Sequence, residues 1–82
     1  PVQLLCDTSM TGVIIDRFGA GVAMRPYDDT HILARAQVAV SPQFFGWLAG
    51  LSTHIRVISP DSVVNEYQIF LQEILRSYTD MQ

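Results

Sequence analysis

The chain has no lysine, a single cysteine and no apolar run long enough to cross a bilayer, and each shortage removes a class of function. Without lysine, all side-chain positive charge rests on Arg17, Arg25, Arg35, Arg56 and Arg76, against eight acidic residues and a net charge of −3. Binding duplex DNA through many phosphates needs clustered basic residues, so this composition argues that duplex DNA is not contacted. A lone Cys6 excludes an internal disulfide; the apolar core must hold the fold alone or with a partner surface, and a reducing, cytoplasmic setting suits it. Apolar residues make up 49 % of the chain, yet no run approaches the roughly 18 to 20 residues of a spanning helix, so a soluble protein with no membrane partner is expected.

The motifs of catalysis are missing as well. Gly12, Gly19, Gly21 and Gly46 compose neither GxGxxG nor GxxxxGK[ST], so no cofactor is implied. Cys6, His31 and His54 have none of the short paired spacings of a zinc site, and no local signature marks Cys6 as a nucleophile. A buried core role suits that cysteine better. Asp28-Asp29 lies in a short polar link, where aspartate favours a turn by bonding its own backbone over paired acid–base work. The expectation is a domain without catalytic residue or metal, acting by assembly or binding and not as an enzyme.

What is present is a regular alternation of elements. A chain of 82 residues allows one domain, residues 1–82, with one core and modest stability. It opens at Pro1 with no targeting signal ahead of it, and a fragment of a longer protein is expected. Val2 to Asp7 reads as a strand. Met10, Val13, Ile14 and Phe18 then follow helical spacing, with Gly19 placed for a left-handed C-terminal cap. Val22 to Tyr27 and His31 to Val40 form a hairpin across Asp28-Asp29-Thr30, with Pro26 at a strand end or edge. Ser41-Pro42 starts a short helix through Phe44, Phe45, Trp47, Leu48 and Leu51, with Gly50 near its end. His54 to Ile58 is the fourth strand, and Ser59-Pro60 repeats the serine–proline helix start. The last helix is the longest, its stripe from Val63 through Tyr67, Phe70 and Ile74 to Tyr78 needing substantial cover.

The order strand, helix, strand, strand, helix, strand, helix gives an α+β fold: a ferredoxin-like βαββαβ sandwich with a four-stranded antiparallel sheet and an additional C-terminal helix. The first two helices cover one sheet face. Period-two alternation then turns Arg25, His31, Arg35, His54 and Arg56 to the other, since a one-residue slip would drive those charges into the core. Two readings of that face stand. It is an ordinary solvated surface with these residues paired to Asp7 or other acidic neighbours, or it is a platform for an anion or partner, since arginine favours bidentate contact with carboxylate or phosphate. Leu5 and Leu33 are its apolar members, so stacking of nucleic-acid bases lacks aromatic support. Phe44, Phe45 and Trp47 read chiefly as core filling, on a helix apolar enough to meet a second surface as well.

The stretch from Ser41 to Pro60, SPQFFGWLAGLSTHIRVISP, followed by VVNEYQIFLQEILRSY, resembles the C-terminal extension (WCX) domain of WYL-domain-containing bacterial transcriptional regulators. Phe18-Gly19, the trio Phe45, Trp47 and Leu48, Gly50, Val57 and Ser59-Pro60 occupy positions of that family's pattern; Leu51-Ser52-Thr53 stand where members often have a second glycine and an acidic residue. The resemblance implies a longer protein with an N-terminal DNA reader, a central WYL domain that senses ligands including nucleic acids, and this terminal module. It also implies a ferredoxin-like domain that helps form a homodimer and, in some members, lines the effector site beside the WYL domain of the same regulator. The expected function is therefore a regulatory and dimerisation module in transcription regulation, whose Arg25, Arg35 and Arg56 face a nucleic-acid or other anionic effector or the neighbouring domain. The alternative is a small-molecule-binding ferredoxin-like regulatory domain.

Overall fold

A computed structural model describes residues 1–81 of the chain. Strand β1 (Val2–Asp7) leads through a 3₁₀ turn, Thr8–Met10, into helix α1 (Thr11–Phe18). Strands β2 (Ala23–Pro26) and β3 (His31–Ala36) form the hairpin, α2 (Pro42–Gly50) follows, and β4 (Ile55–Ser59) leads to α3 (Asp61–Thr79). The four strands make one antiparallel sheet in the order β2-β3-β1-β4. Because β1 and β2 are both antiparallel to β3, they run parallel to each other, as each strand–helix–strand unit requires.

Register sorts the side chains. Val2, Leu4, Cys6, Ala34, Ala36, Ile55 and Val57 are buried on one face, and Ile14 of α1 and Phe44, Phe45 and Leu48 of α2 close over them. Each large apolar side chain that is fully buried, such as Leu4, Ile14, Leu48 or Ile55, contributes roughly 1.5–3 kcal/mol. The Ser41 side chain accepts the Phe44 backbone N–H at 3.3 Å and Pro42 occupies the first turn, so the first serine–proline start works as the sequence suggests. Phe44 stacks on Trp47 at 6.1 Å between centroids, and Trp47 meets Phe18 edge-on at 5.5 Å. Phe45 lies 5.2 Å from Tyr67 and 5.4 Å from Phe70. The second surface that α2 meets is thus α3 of the same chain.

Four local expectations are corrected. The third strand ends at Ala36 and not at Val40, because the ladders that hold it stop at Val2↔Ala36 and Ala23↔Arg35. The second serine–proline start does not cap its helix: Ser59 is still in β4, where its hydroxyl donates to Gln3 Oε1 at 3.2 Å, and Pro60 precedes the first turn instead. Residue Gly19 has positive φ, 92°, but with ψ 161° it is extended, outside the left-handed helical well. Residue His54 lies just before β4, which begins at Ile55 and runs through Ser59.

Candidate anion-binding sheet face

The sheet face opposite α1 and α2 carries three rows of side chains across the strands. The middle row runs Arg25, Leu33, Leu5, Arg56, set by the pairings Arg25↔Leu33, Leu5↔Leu33 and Leu5↔Arg56. Beside it run Ala23, Arg35, Gln3 and Ser59, where β4 carries a register shift. The third row, at the end of the sheet near the β2–β3 turn, pairs His31 with Asp7 and brings in His54 from the α2–β4 loop.

Arg25, Arg35 and Arg56 are all exposed. Among the described residues every ion pair is a histidine–aspartate pair, so no carboxylate lies within 4.0 Å of any arginine. The expected pairing of this face with Asp7 is met at its two histidines and not at its arginines. Asp7 is spent elsewhere: its Oδ2 lies 2.7 Å from His54 Nδ1 and its Oδ1 lies 3.6 Å from His31 Nε2. His31 Nδ1 in turn lies 2.8 Å from Asp28 Oδ1, which also accepts the Thr30 backbone N–H at 2.9 Å. That last bond closes the turn as expected of an aspartate there. It is also the main reason the Asp28 carboxyl is held below the usual carboxylate range, with the His31 ring next.

Four of the five predicted face residues therefore separate into two groups, and Arg56 stands apart on β4 opposite Leu5. Arg25 and Arg35 are diagonal neighbours across the β2–β3 hairpin and border an open depression of about 370 Å³ that also includes Gln3, Ala23 and Leu33. His31 and His54 sit at the acidic end, knitted to Asp7 and Asp28. Leu33 is only 8 % exposed although it lies on this face, its register neighbours being Arg25 and Leu5; long arginine stems cover apolar surface while their heads stay in water. Residue Gln3 was missed by sequence reasoning, although its place two residues before Leu5 in β1 puts it on this face.

The remaining arginines serve other ends. Arg17 places its guanidinium 5.2 Å from the centre of the Trp47 ring, tying α1 to α2, and Arg76 lies in the last turn of α3. Cys6 is fully buried and free, and burial together with the neighbouring Asp7 charge pushes its thiol up to about 11, leaving a core residue and no nucleophile. Among the described residues no group of three or more His, Cys, Asp or Glu is placed to hold a metal ion, and no helix is long and apolar enough to cross a membrane.

The WCX domain family model matches residues 1–75. The chain belongs to the WCX domain family. No curated protein and no solved structure matches it.

A second surface of this WCX domain lies on α3. Val63, Val64, Tyr67 and Phe70 of its first half pack into the core cluster. From Leu71 onward every described residue is exposed, although Leu71, Ile74, Leu75, Tyr78 and Met81 continue the same helical stripe at spacings of three and four. A 19-residue helix is about 28 Å long, and its far half accounts for a molecule 44 Å in one direction and 24 Å or less in the others.

Proposed function

We propose that this WCX domain is the assembly and effector-facing module of a longer, cytoplasmic, WYL-type bacterial transcriptional regulator. Its βαββαβ order with strands arranged β2-β3-β1-β4 supports a ferredoxin-like assignment with α3 as the added helix. The single observation that carries the assembly role is the continuous apolar stripe of α3, covered by α2 in its first half and bare in its second. Water-exposed Leu71, Ile74, Leu75 and Tyr78 on one face are costly for a monomer to leave uncovered, and a second copy offers a matching face through a two-fold contact. Duplex DNA is left to another part of the regulator, since the face with most arginines carries only three.

The effector role rests on Arg25, Arg35 and Arg56, which have no acidic partner among the described residues and share a face with the WCX domain's open depression. The depression also favours the second reading, a small-molecule-binding regulatory domain, and both readings place the ligand on this face. Sedimentation equilibrium of the chain over a concentration series is expected to show a reversible monomer–dimer exchange; a strict monomer at millimolar concentration refutes assembly through α3. In the intact regulator, replacing Arg25, Arg35 and Arg56 together with alanine is expected to abolish the effector response, and an unchanged response refutes the effector role.

A further inference from the structure

The open sheet face has a polarity across its rows that restricts what fits it. At one end Asp7 and Asp28 gather with His31 and His54, and an anion placed there meets two carboxylates. Away from that end Arg25, in the middle row, and Arg35, in the far row, are diagonal neighbours without acidic partners among the described residues. Gln3 adds a third donor: its Oε1 accepts the Ser59 hydroxyl, which fixes the amide and leaves the Nε2 hydrogens without a protein acceptor among the described residues. Between these donors and Arg56 lie half-buried Leu5 and, beneath the arginine stems, Leu33, on a row that spans three strand spacings or about 14 Å from Arg25 to Arg56.

Building on the anion-facing reading, the geometry points to a small amphipathic organic anion as the ligand of this WCX domain: a carboxylate or phosphate head held by Arg25, Arg35 and the Gln3 amide, with a compact aliphatic body lying on Leu5 and against the arginine stems that cover Leu33. Each part of the site requires its counterpart. Guanidinium forks match a planar carboxylate or a phosphate bidentately. Two leucines without an aromatic ring offer contact to a saturated body and no stacking platform for a base, which disfavours a nucleic-acid strand. A depression of about 370 Å³ falls at the small end of ligand pockets, roughly 300–1,000 Å³. The acidic end at Asp7 and Asp28 sets the orientation, repelling the head and directing it toward the arginines.

The test is an NMR titration of the isotopically labelled chain at constant ionic strength with five probes: octanoate below its micelle concentration, acetate, inorganic phosphate, octylamine and hexathymidylate. Octanoate is expected to bind saturably, at least tenfold more tightly than acetate or phosphate, moving the signals of Leu5, Leu33 and the Arg25 and Arg35 side chains. The double variant Arg25→Gln, Arg35→Gln is expected to weaken octanoate at least tenfold with the fold retained in its NMR spectrum. Octanoate binding no better than acetate, octylamine binding as well as octanoate, or hexathymidylate alone saturating the face would each overturn the amphipathic class. In the first and third of these outcomes the anion-facing reading survives. No response of the face to any anionic probe overturns both.

Discussion

Replacing Leu75 with glutamate separates an idle apolar tail from an assembly surface. Leu75 is 68 % exposed, so a partner has most of its surface to gain, and full burial of a leucine side chain contributes roughly 1.5–3 kcal/mol. About two thirds of that, roughly 1–2 kcal/mol per copy, is recoverable at an interface; a two-fold contact counts the residue twice, for about 2–4 kcal/mol in total. At about 1.4 kcal/mol per tenfold change, Leu75→Glu should weaken dimerisation roughly 30- to 700-fold. The monomer should hardly register the change, since leucine and glutamate are both strong helix formers and exposed substitutions stay within about 0.5 kcal/mol. Sedimentation equilibrium gives the dissociation constant, and a melting curve at low concentration gives the monomer's stability. Asn65→Glu, on the polar side of the same helix, is the control and should leave dimerisation unchanged. A dissociation constant that moves less than threefold on Leu75→Glu, with Asn65→Glu behaving alike, refutes the assignment of the bare stripe to assembly.

Three further outcomes follow from local structure. Ser52 holds a left-handed φ of 57°, costing about 1–2 kcal/mol for a residue with a Cβ, and glycine gives back about 0.5–1 kcal/mol in lost unfolded-state freedom; Ser52→Gly should stabilise the WCX domain by about 0.5–1 kcal/mol in urea titration, and any destabilisation contradicts the strain. The Cys6 thiol, raised to about 11 by burial and the Asp7 charge, should react with a disulfide reagent at pH 8 only on the unfolding timescale. Because the folded value lies above the ordinary 9.0, its contribution to stability is complete below pH 9 and is lost as the pH rises toward 11, a loss that Cys6→Ala should remove. Asp28 has the opposite sign: with its carboxyl lowered below the ordinary 3.8 by the Thr30 N–H and the His31 ring, its contribution is present above that value and lost as the pH falls through the folded one. A carbon-detected titration should find its midpoint below 3.8, and Asp28→Asn should flatten the acid limb of stability.

Period-two alternation carried most of the fold in advance. The apolar set Leu4, Cys6, Ala34, Ile55 and Val57 is buried and the set Arg25, Arg35 and Arg56 is exposed, because a strand with one buried face allows a single register. Where pairing and not polarity decides, the sequence was silent. Val38 and Val40 keep the alternation of β3, yet they lie beyond the last partner residues and leave the strand. Ser59-Pro60 has the same two letters as Ser41-Pro42, but the Ser59 hydroxyl bonds Gln3, 56 positions away, and is lost to the helix start. The site was half legible. That Arg25, Arg35 and Arg56 share a face follows from parity alone; that Asp7 is consumed by His31 and His54 depends on the meeting of β1, the hairpin turn and the α2–β4 loop at one end of the sheet. The turn at Ser52 shows the reverse case, in which a departure from the family pattern at Leu51-Ser52-Thr53 coincides with the one non-glycine residue of positive φ among those described.

The two proposed surfaces lie on opposite sides of β4 without overlapping, and this bears on how one small domain would serve both assembly and sensing. Ile55 and Val57 face the core while Arg56 between them points to the open face, and α3 follows β4 directly and packs against it. A ligand body on Leu5 lies beside Arg56 of β4, the strand whose other side packs against α3, the helix proposed for assembly. Neither surface covers the other, so ligand and second copy do not compete for the same side chains. Any linkage between them must then run through β4 itself, whose register shift against β1 falls between Gln3 and Leu4, beside the Gln3–Ser59 bond. Linkage is reciprocal: if saturating octanoate tightens the dimer by some factor, each of the two sites binds octanoate more tightly in the dimer than in the monomer by the square root of that factor, so at concentrations where the parent chain is dimeric Leu75→Glu must weaken octanoate by that square root, and independent sites would leave the two affinities equal.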